Sequence, residues 1–383
     1  MGASSMAELI SFFKNLEPKM IEWLCSFINS DTPSDHKPAL DEFVRRLAGQ
    51  FGECGAEVQI VRNAAAGDHL LARFQPTRQT GSPILILGHT DTVWDMGESE
   101  RRPAQISEGR IHGPGAFDMR GGLTLALALA FYLSQHRAQL TRAVTFLLDS
   151  DEEVGSHTSR SLIENEARHC EAVLVLEPCL PGGALKTSRK GVGRFLIQAR
   201  GVAAHAGIDY NKGVSAIQEI AHQVLDLYAF NDAELGTSIN VGTIRGGSRP
   251  NVISDRAEIE VDLRISSVAE GERVARRILQ LQPKLKGSSL EISGGINRPP
   301  LERNSQTVQL FDRARILAAE IGMELHEGST GGASDGCFTA ALAIPTLDGL
   351  GPDGAGPHAL HEHVLIESLA PRAALLTQLV LKL

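Results

Sequence analysis

Three largely apolar runs in this chain stop abruptly on charged or imidazole side chains. Ile84 to Leu87 lead into Gly88-His89-Thr90-Asp91, Ala143 to Leu148 into Asp149-Ser150-Asp151-Glu152-Glu153, and Ala172 to Leu176 into Glu177-Pro178. A short apolar run with a polar break after it predicts a strand buried on both faces. Helical spacing fills the intervals, as in Leu123 to Gln135 and Ser159 to Ala167. Upstream, Met6 to Gln50 carries helical periodicity broken at Asp31-Thr32-Pro33-Ser34, which predicts two helices joined by a turn. The alternation from Val58 to Glu177 is the rhythm of an α/β fold with a helix-covered, mostly parallel sheet.

After Arg189-Lys190-Gly191 the pattern changes. Strand-like Val192 to Arg200 precedes a helix over Gly213 to Tyr228 and a strand over Thr237 to Arg245. Asp255 to Ile265 alternates strictly, Val268 to Leu281 is helical, and Ser289 to Ser293 is a short strand. This is a βαββαβ order, the ferredoxin-like arrangement, with one wet and one covered sheet face. Beyond Pro299-Pro300 the earlier rhythm returns: a helix over Thr307 to Ile321, the Gly331-Gly332-Ala333-Ser334-Asp335-Gly336 loop, a strand near Ala341 to Leu347, and a closing helix over Ser368 to Leu381. The pattern therefore predicts a discontinuous domain of residues 1–189 and 300–383, with residues 190–299 inserted as a second domain.

Composition narrows the function classes. A net charge of −9 disfavours nucleic acid and anionic membranes, which demand concentrated Lys and Arg. The five cysteines show no C-x-x-C spacing, so neither a disulfide framework nor a thiolate zinc site is indicated, and a reducing compartment fits. Met1 to Lys19 lacks the layout of a secretory signal, and Met6 breaks the myristoylation pattern that Gly2 would open. The apolar stretch Leu123 to Leu133 falls short of the ~20 residues that span a bilayer. The expectation is a cytoplasmic protein with no membrane or nucleic-acid partner.

The polar residues that end the runs carry the candidate chemistry. In open α/β sheets the carboxyl ends of strands line the ligand crevice, so His89, Asp118, Glu153, Glu177 and His358 should converge although they are scattered in sequence. If Gly88 to Asp91 stays extended, Asp91 lies on the same side as His89 and can fix its tautomer. Asp118 lies in a Gly-rich turn before an apolar helix, where an N-cap role is the plain alternative. Four acids within Asp149 to Glu153 would repel one another unless cations were near, and the Glu152-Glu153 pair can split duties between base and ligand. His358, His361 and His363 crowd one loop, and spacing does not choose among them. Two divalent cations would be balanced by Asp118, Glu153, Glu177 and one hydroxide, a near-neutral group that can be buried. Such a set can also accept cobalt or manganese.

With these residues in view, the chain resembles the dizinc metallopeptidase family of glutamate carboxypeptidase, aminoacylase, acetylornithine deacetylase and succinyl-diaminopimelate desuccinylase, the glutamate carboxypeptidase branch most of all. The motifs are GHTDTV (88–93), GPGAFDMRGG (113–122), DEEVGS (151–156), LEP (176–178), AHAG (204–207), GGASDG (331–336) and GPHALHEHV (356–364). The resemblance implies that His89 and Glu177 hold one Zn2+, that Glu153 and His358 hold the other, and that Asp118 bridges them. It makes Glu152 the general base and Asp91 the partner of His89. It also selects His358, with Glu362 four residues on. The insert becomes a lid and dimerisation domain whose His205 serves the neighbouring site of a homodimer. Asn251, Arg264 and Arg298 match positions that bind a substrate carboxylate, although Arg264 equally suits a solvated strand position. Where the glutamate-specific branch has a Lys, this chain has Ala184 or Leu185, beside Lys186. The implied activity is release of a C-terminal amino acid from a small N-acyl or peptidyl substrate by a metal-bridged hydroxide. The alternative is an N-acyl amino acid deacylase.

Overall fold

The computed structural model describes residues 6–383; Gly2 and the rest of the first five residues of the Met1–Lys19 segment lie outside the described residues. The chain divides into two compact units. One comprises Met1–Ser188, Arg303–Ser329 and Ser334–Leu383; the other comprises Arg189–Glu302 and Thr330–Ala333.

The first unit is built on a six-stranded sheet. In spatial order its strands are β1 (Glu57–Val61), β2 (His69–Phe74), β6 (Val144–Asp149), β3 (Ile84–His89), β7 (Ala172–Val175) and β16 (Thr346–Leu347). β6, β3, β7 and β16 run parallel, whereas β1 and β2 pair antiparallel to each other and β2 antiparallel to β6. The sheet is thus mixed, with β2 alone running against the other five strands. Apolar runs reveal burial but not direction, because a strand covered on both faces has the same composition either way.

Every residue of β3, β6 and β7 is buried. Ile84 and Ile86 face a large core shared with α1 (Met6–Ile28), α2 (Lys37–Glu53), α4 (Gly121–His136), α8 (Ser305–Glu320) and α10 (Ile366–Lys382). Leu85 and Leu87 face a second core with Ile163 and Ala167 of α5 (Arg160–Ala167) and Phe338 of α9 (Gly336–Ala341). Alternate side chains entering two cores is why these strands lack a polar face. The stretch Ala116–Gln139 is long and apolar enough to cross a bilayer, and 89% of its most apolar window is packed inside the fold.

Shorter elements complete this unit. α3 (Glu98–Arg101) precedes a small sheet in the order β17 (Gly354–Ala355), β18 (His363–Leu365), β5 (Arg110–His112) and β4 (Gln105–Ser107). β8 (Leu185–Arg189) pairs with β15 (Glu327–Thr330). The strand expected near Ala341–Leu347 is the end of α9 followed by the two-residue β16.

The second unit has a four-stranded antiparallel sheet in the order β11 (Ser238–Gly246), β13 (Arg256–Ile265), β9 (Gly191–Arg200) and β14 (Ser289–Arg298). α6 (Ala216–Tyr228) follows β9 and α7 (Val268–Leu279) follows β13. The alternation in β13 sends Ile259, Val261 and Leu263 into one core with Ile220, Leu227, Val274 and Ile278 of these helices. β14 runs ten residues, not the five expected, because Gly294 and Gly295 mask its alternation. A minor pair, β10 (Ala204–His205) with β12 (Val252–Ile253), lies in the same unit.

Gly122 sets how closely α4 approaches β7. A Cβ there would lie 2.2 Å from the Leu176 carbonyl oxygen and 2.6 Å from Met119 Cε. Gly122→Ala should therefore push the helix off the strand end that carries Glu177, at a cost of about 1–3 kcal/mol. A lowered denaturant midpoint with unchanged m value checks this.

Candidate metal centre

The strand register brings the polar residues to one edge. His89, the last residue of β3, pairs directly with Asp149 at the end of β6, and the Leu176 N–H donates to Leu87 at 2.9 Å. Glu152 and Glu153 therefore emerge beside His89 on one side and Glu177 on the other. Asp118 arrives from the turn between β5 and α4, and His358 from the loop between β17 and β18. Asp118 is not an N-cap: its backbone is extended at φ −115°, ψ 97°, and α4 begins three residues later.

Asp118 stands between two imidazoles. Its Oδ1 lies 3.2 Å from His89 Nε2 and its Oδ2 lies 3.3 Å from His358 Nε2. Glu177 Oε1 is 3.6 Å from His89 Nε2, and Glu153 Oε1 is 3.3 Å from His358 Nε2. Charge-assisted N–H···O contacts normally close to ~2.7–2.9 Å. Two ligands held ~2.0–2.1 Å from one tetrahedral cation lie roughly 3.3 Å apart, which is the spacing seen. Glu153 Oε1 is moreover buried, and its contact with His358 falls short of hydrogen-bond geometry. Two triads have ligand atoms within 4.8 Å of one another: His89, Asp118 and Glu153, and His89, Glu152 and Glu177. An oxygen-rich set with imidazole suits divalent zinc and its neighbours. Two metal-binding triads meeting at His89 form the active-site framework of a two-metal hydrolase.

The electrostatics show what the cluster lacks by itself. Burial disfavours a charged His89, yet Asp118 and Asp91 raise its pKa well above the usual imidazole value. Contacts with Asp118 and Glu153 push His358 to about 11. Burial opposes the Asp118 carboxylate, but the two imidazoles hold its pKa well below the usual range. Burial and repulsion from Asp118 lift Glu153 to about 7. Protons on the imidazoles thus stand in for cationic charge.

Supporting residues lock this arrangement. His89 Nδ1 lies 3.0 Å from the Asp91 carbonyl oxygen and 3.3 Å from its carboxylate, which turns Nε2 towards Asp118. Asp91 accepts from Ser34 Oγ at 2.7 Å and from the backbone N–H groups of Glu153 and Glu152 at 3.1 and 3.3 Å. Glu362 accepts from the N–H groups of Gly115, Phe117 and Asp118 at 2.8, 3.0 and 2.9 Å, and from Trp94 Nε1 at 3.1 Å. It fastens the turn that carries Asp118. Burial, with Asp118 adding to it, raises the Glu362 pKa to about 7.

Sequence reasoning passed over three further contributors. The buried Arg120 guanidinium donates to the Thr90 and Ser30 carbonyls at 3.0 and 3.2 Å and to Thr32 Oγ1, tying the first turn of the chain to the His89 strand end. Ser34 steadies Asp91. Asp335, in the Gly-rich motif, accepts from Ser156 in the loop after Glu153. A charged residue inside an apolar stretch, as Arg120 is, was the available signal.

The remaining expected site residues belong to the second unit. His205 is exposed on β10, pairs in register with Val252, and accepts from the Gly207 N–H at 3.1 Å. The Asn251 carbonyl accepts from the Ala206 N–H at 3.0 Å, so His205 and Asn251 adjoin. Arg264 forks onto Asp262 at 2.7 and 3.0 Å. Arg298 is buried at the end of β14.

Residues 85–382 match the profile of peptidase family M20/M25/M40. The chain is 25% identical over 374 residues to carboxypeptidase G2 of Pseudomonas sp. (strain RS-16), covering 96% of this chain and 90% of that protein. It is 27% identical over 319 residues to succinyl-diaminopimelate desuccinylase of Methylococcus capsulatus, covering 78% and 83%. In structure it is similar to the aminopeptidase PepT of Bacillus cereus, with a TM-score of 0.77 at 21% identity, covering 95% of this chain and 98% of that one.

Two outcomes follow from this geometry. Glu362→Gln puts an amide N–H₂ among four donors, so divalent-metal affinity should fall ~10–100-fold, measured by competition with a chelator. Because His89 and His358 carry raised pKa values without metal, metal uptake at pH 7 should release protons. Affinity should therefore weaken as pH falls; calorimetry in buffers of different ionisation enthalpy reads the proton count.

Proposed function

Since the chain belongs to peptidase family M20/M25/M40, with its match running over residues 85–382, we propose that it hydrolyses the amide bond of N-acyl amino acids, as a deacylase that frees the amino acid. The observation that carries this reading is Asp118 facing both imidazoles with Glu152 at the same edge. The similarity to a succinyl-diaminopimelate desuccinylase supports the substrate class, an acyl group on the nitrogen of an amino acid. A second reading, release of a C-terminal amino acid from a peptidyl substrate in the glutamate carboxypeptidase manner, is favoured by the similarity to carboxypeptidase G2 over 96% of the chain.

The ligand set is assigned as in the sequence: His89 and Glu177 for one Zn2+, Glu153 and His358 for the other, and Asp118 between them. When bound, such cations polarise an amide carbonyl and acidify water enough for attack at neutral pH. Glu152 takes the proton of the attacking water and delivers it to the departing amine. It is suited to this because it is buried and its backbone N–H faces Asp91 at 3.3 Å, which orients the turn. Asp91 maintains the His89 tautomer. His205 polarises the scissile carbonyl, and Asn251, Arg264 and Arg298 receive the substrate carboxylate. Arg264 must then exchange or share its present Asp262 partner.

The insert is assigned as a ferredoxin-like lid and dimerisation module. Its edge strand β11 is largely exposed from Gly242 onward, and an open edge can be extended by a second copy. The cysteines at 25, 54, 170 and 179 are free thiols, which suits the cytoplasmic location proposed.

A panel of N-succinyl and N-acetyl amino acids against dipeptides tests the substrate class, with fastest turnover expected on an acyl amino acid. Glu152→Gln should lower kcat at least ~100-fold with both metals retained. Near-normal turnover in that variant would remove Glu152 from the reaction. His205→Ala should lower kcat without metal loss.

A further inference from the structure

We propose that His112 and His363 form a third binding site, for a divalent transition-metal ion, on the small sheet beside the active-site loops. The two residues are direct cross-strand partners in the antiparallel pairing of β5 and β18. Gln105 of β4 continues the row on the other side of His112. Directly opposed residues present their side chains on the same face.

The ring geometry fits a shared cation. The two imidazole centroids lie 5.1 Å apart with planes inclined by 39°. Two imidazoles each ligating one tetrahedral ion at ~2.0–2.1 Å would place their centroids roughly 5.2 Å apart.

The tautomers fit as well. His363 Nδ1 lies 2.9 Å from the His361 carbonyl oxygen. A carbonyl only accepts, so Nδ1 carries the proton and Nε2 keeps its lone pair, the form that ligates. Burial, followed by the neighbouring His363 and Arg110, lowers the pKa of His112, which favours the neutral ring a metal requires. Gln105 is exposed and both rings are half-buried, so the amide oxygen and water can complete the coordination.

The position gives the site a consequence. β5 runs directly into the turn bearing Asp118, and β18 follows the loop bearing His358. An ion held by both strands cross-links the two segments that meet at the catalytic centre.

The test is a Zn2+ titration of the chelator-stripped full-length protein by calorimetry. Two tight equivalents and a third, weaker class are expected. The third class should vanish in His112→Gln and in His363→Gln, while the tight pair stays. Saturation of the unaltered protein at two equivalents, or persistence of the third class in either variant, overturns the proposal. Cu2+ added to the zinc-loaded unaltered protein supplies a second readout. An electron paramagnetic resonance spectrum split by two imidazole nitrogens is expected, and one without such splitting overturns the assignment.

Discussion

The Asp118 carboxylate, with one oxygen towards His89 and the other towards His358, is the contact on which the site depends. Four acids and two imidazoles are gathered at a buried sheet edge, where like charges cannot stay together unless positive charge is interleaved. Without metal that charge comes from protons on the imidazoles, which their acidic neighbours hold well above ordinary imidazole values. The same fields that retain those protons favour divalent cations in their place. Affinity for metal and affinity for protons are one property of this cluster, seen with different ligands.

Much of the first unit serves to hold the turn that carries Asp118. Glu362 gathers three backbone N–H groups from Gly115 to Asp118, and Arg120 ties the turn's end to the carbonyls of Ser30 and Thr90. Asp91 does the same for the Glu152-Glu153 corner while fixing the tautomer of His89. Ligands supplied by loops are in this way placed with the precision of strands. The close approach of α4 to the end of β7, possible because Gly122 has no side chain, completes the frame on the Glu177 side.

The proposed third site belongs to the same construction. The small sheet of β4, β5, β17 and β18 links a segment leading to Asp118 with one leaving His358, and its His112–His363 pair crosses that link. Spacing did not separate His358, His361 and His363 in the sequence. In the fold, His358 faces Asp118 and Glu153, His363 lies against His112, and the His361 carbonyl orients His363.

What the sequence determined by itself was the set of groups and the edge on which they gather. Strands buried on both faces must be continuously apolar, so the residues that end them announce themselves, and His89, Glu152, Glu153 and Glu177 were legible for that reason. The alternation over Arg256–Ile265 likewise announced a sheet with one covered face. Tertiary structure alone decided that β2 runs against its neighbours, since burial leaves the same composition in parallel and antiparallel strands. It alone decided that Asp118 stands between the two imidazoles rather than caps a helix, because a Gly-rich turn before a helix serves either purpose until Glu362, distant in sequence, fastens it. Periodicity reports which side of an element is dry. Which remote side chain meets which is a matter of distance in space, set only when the strands take their register.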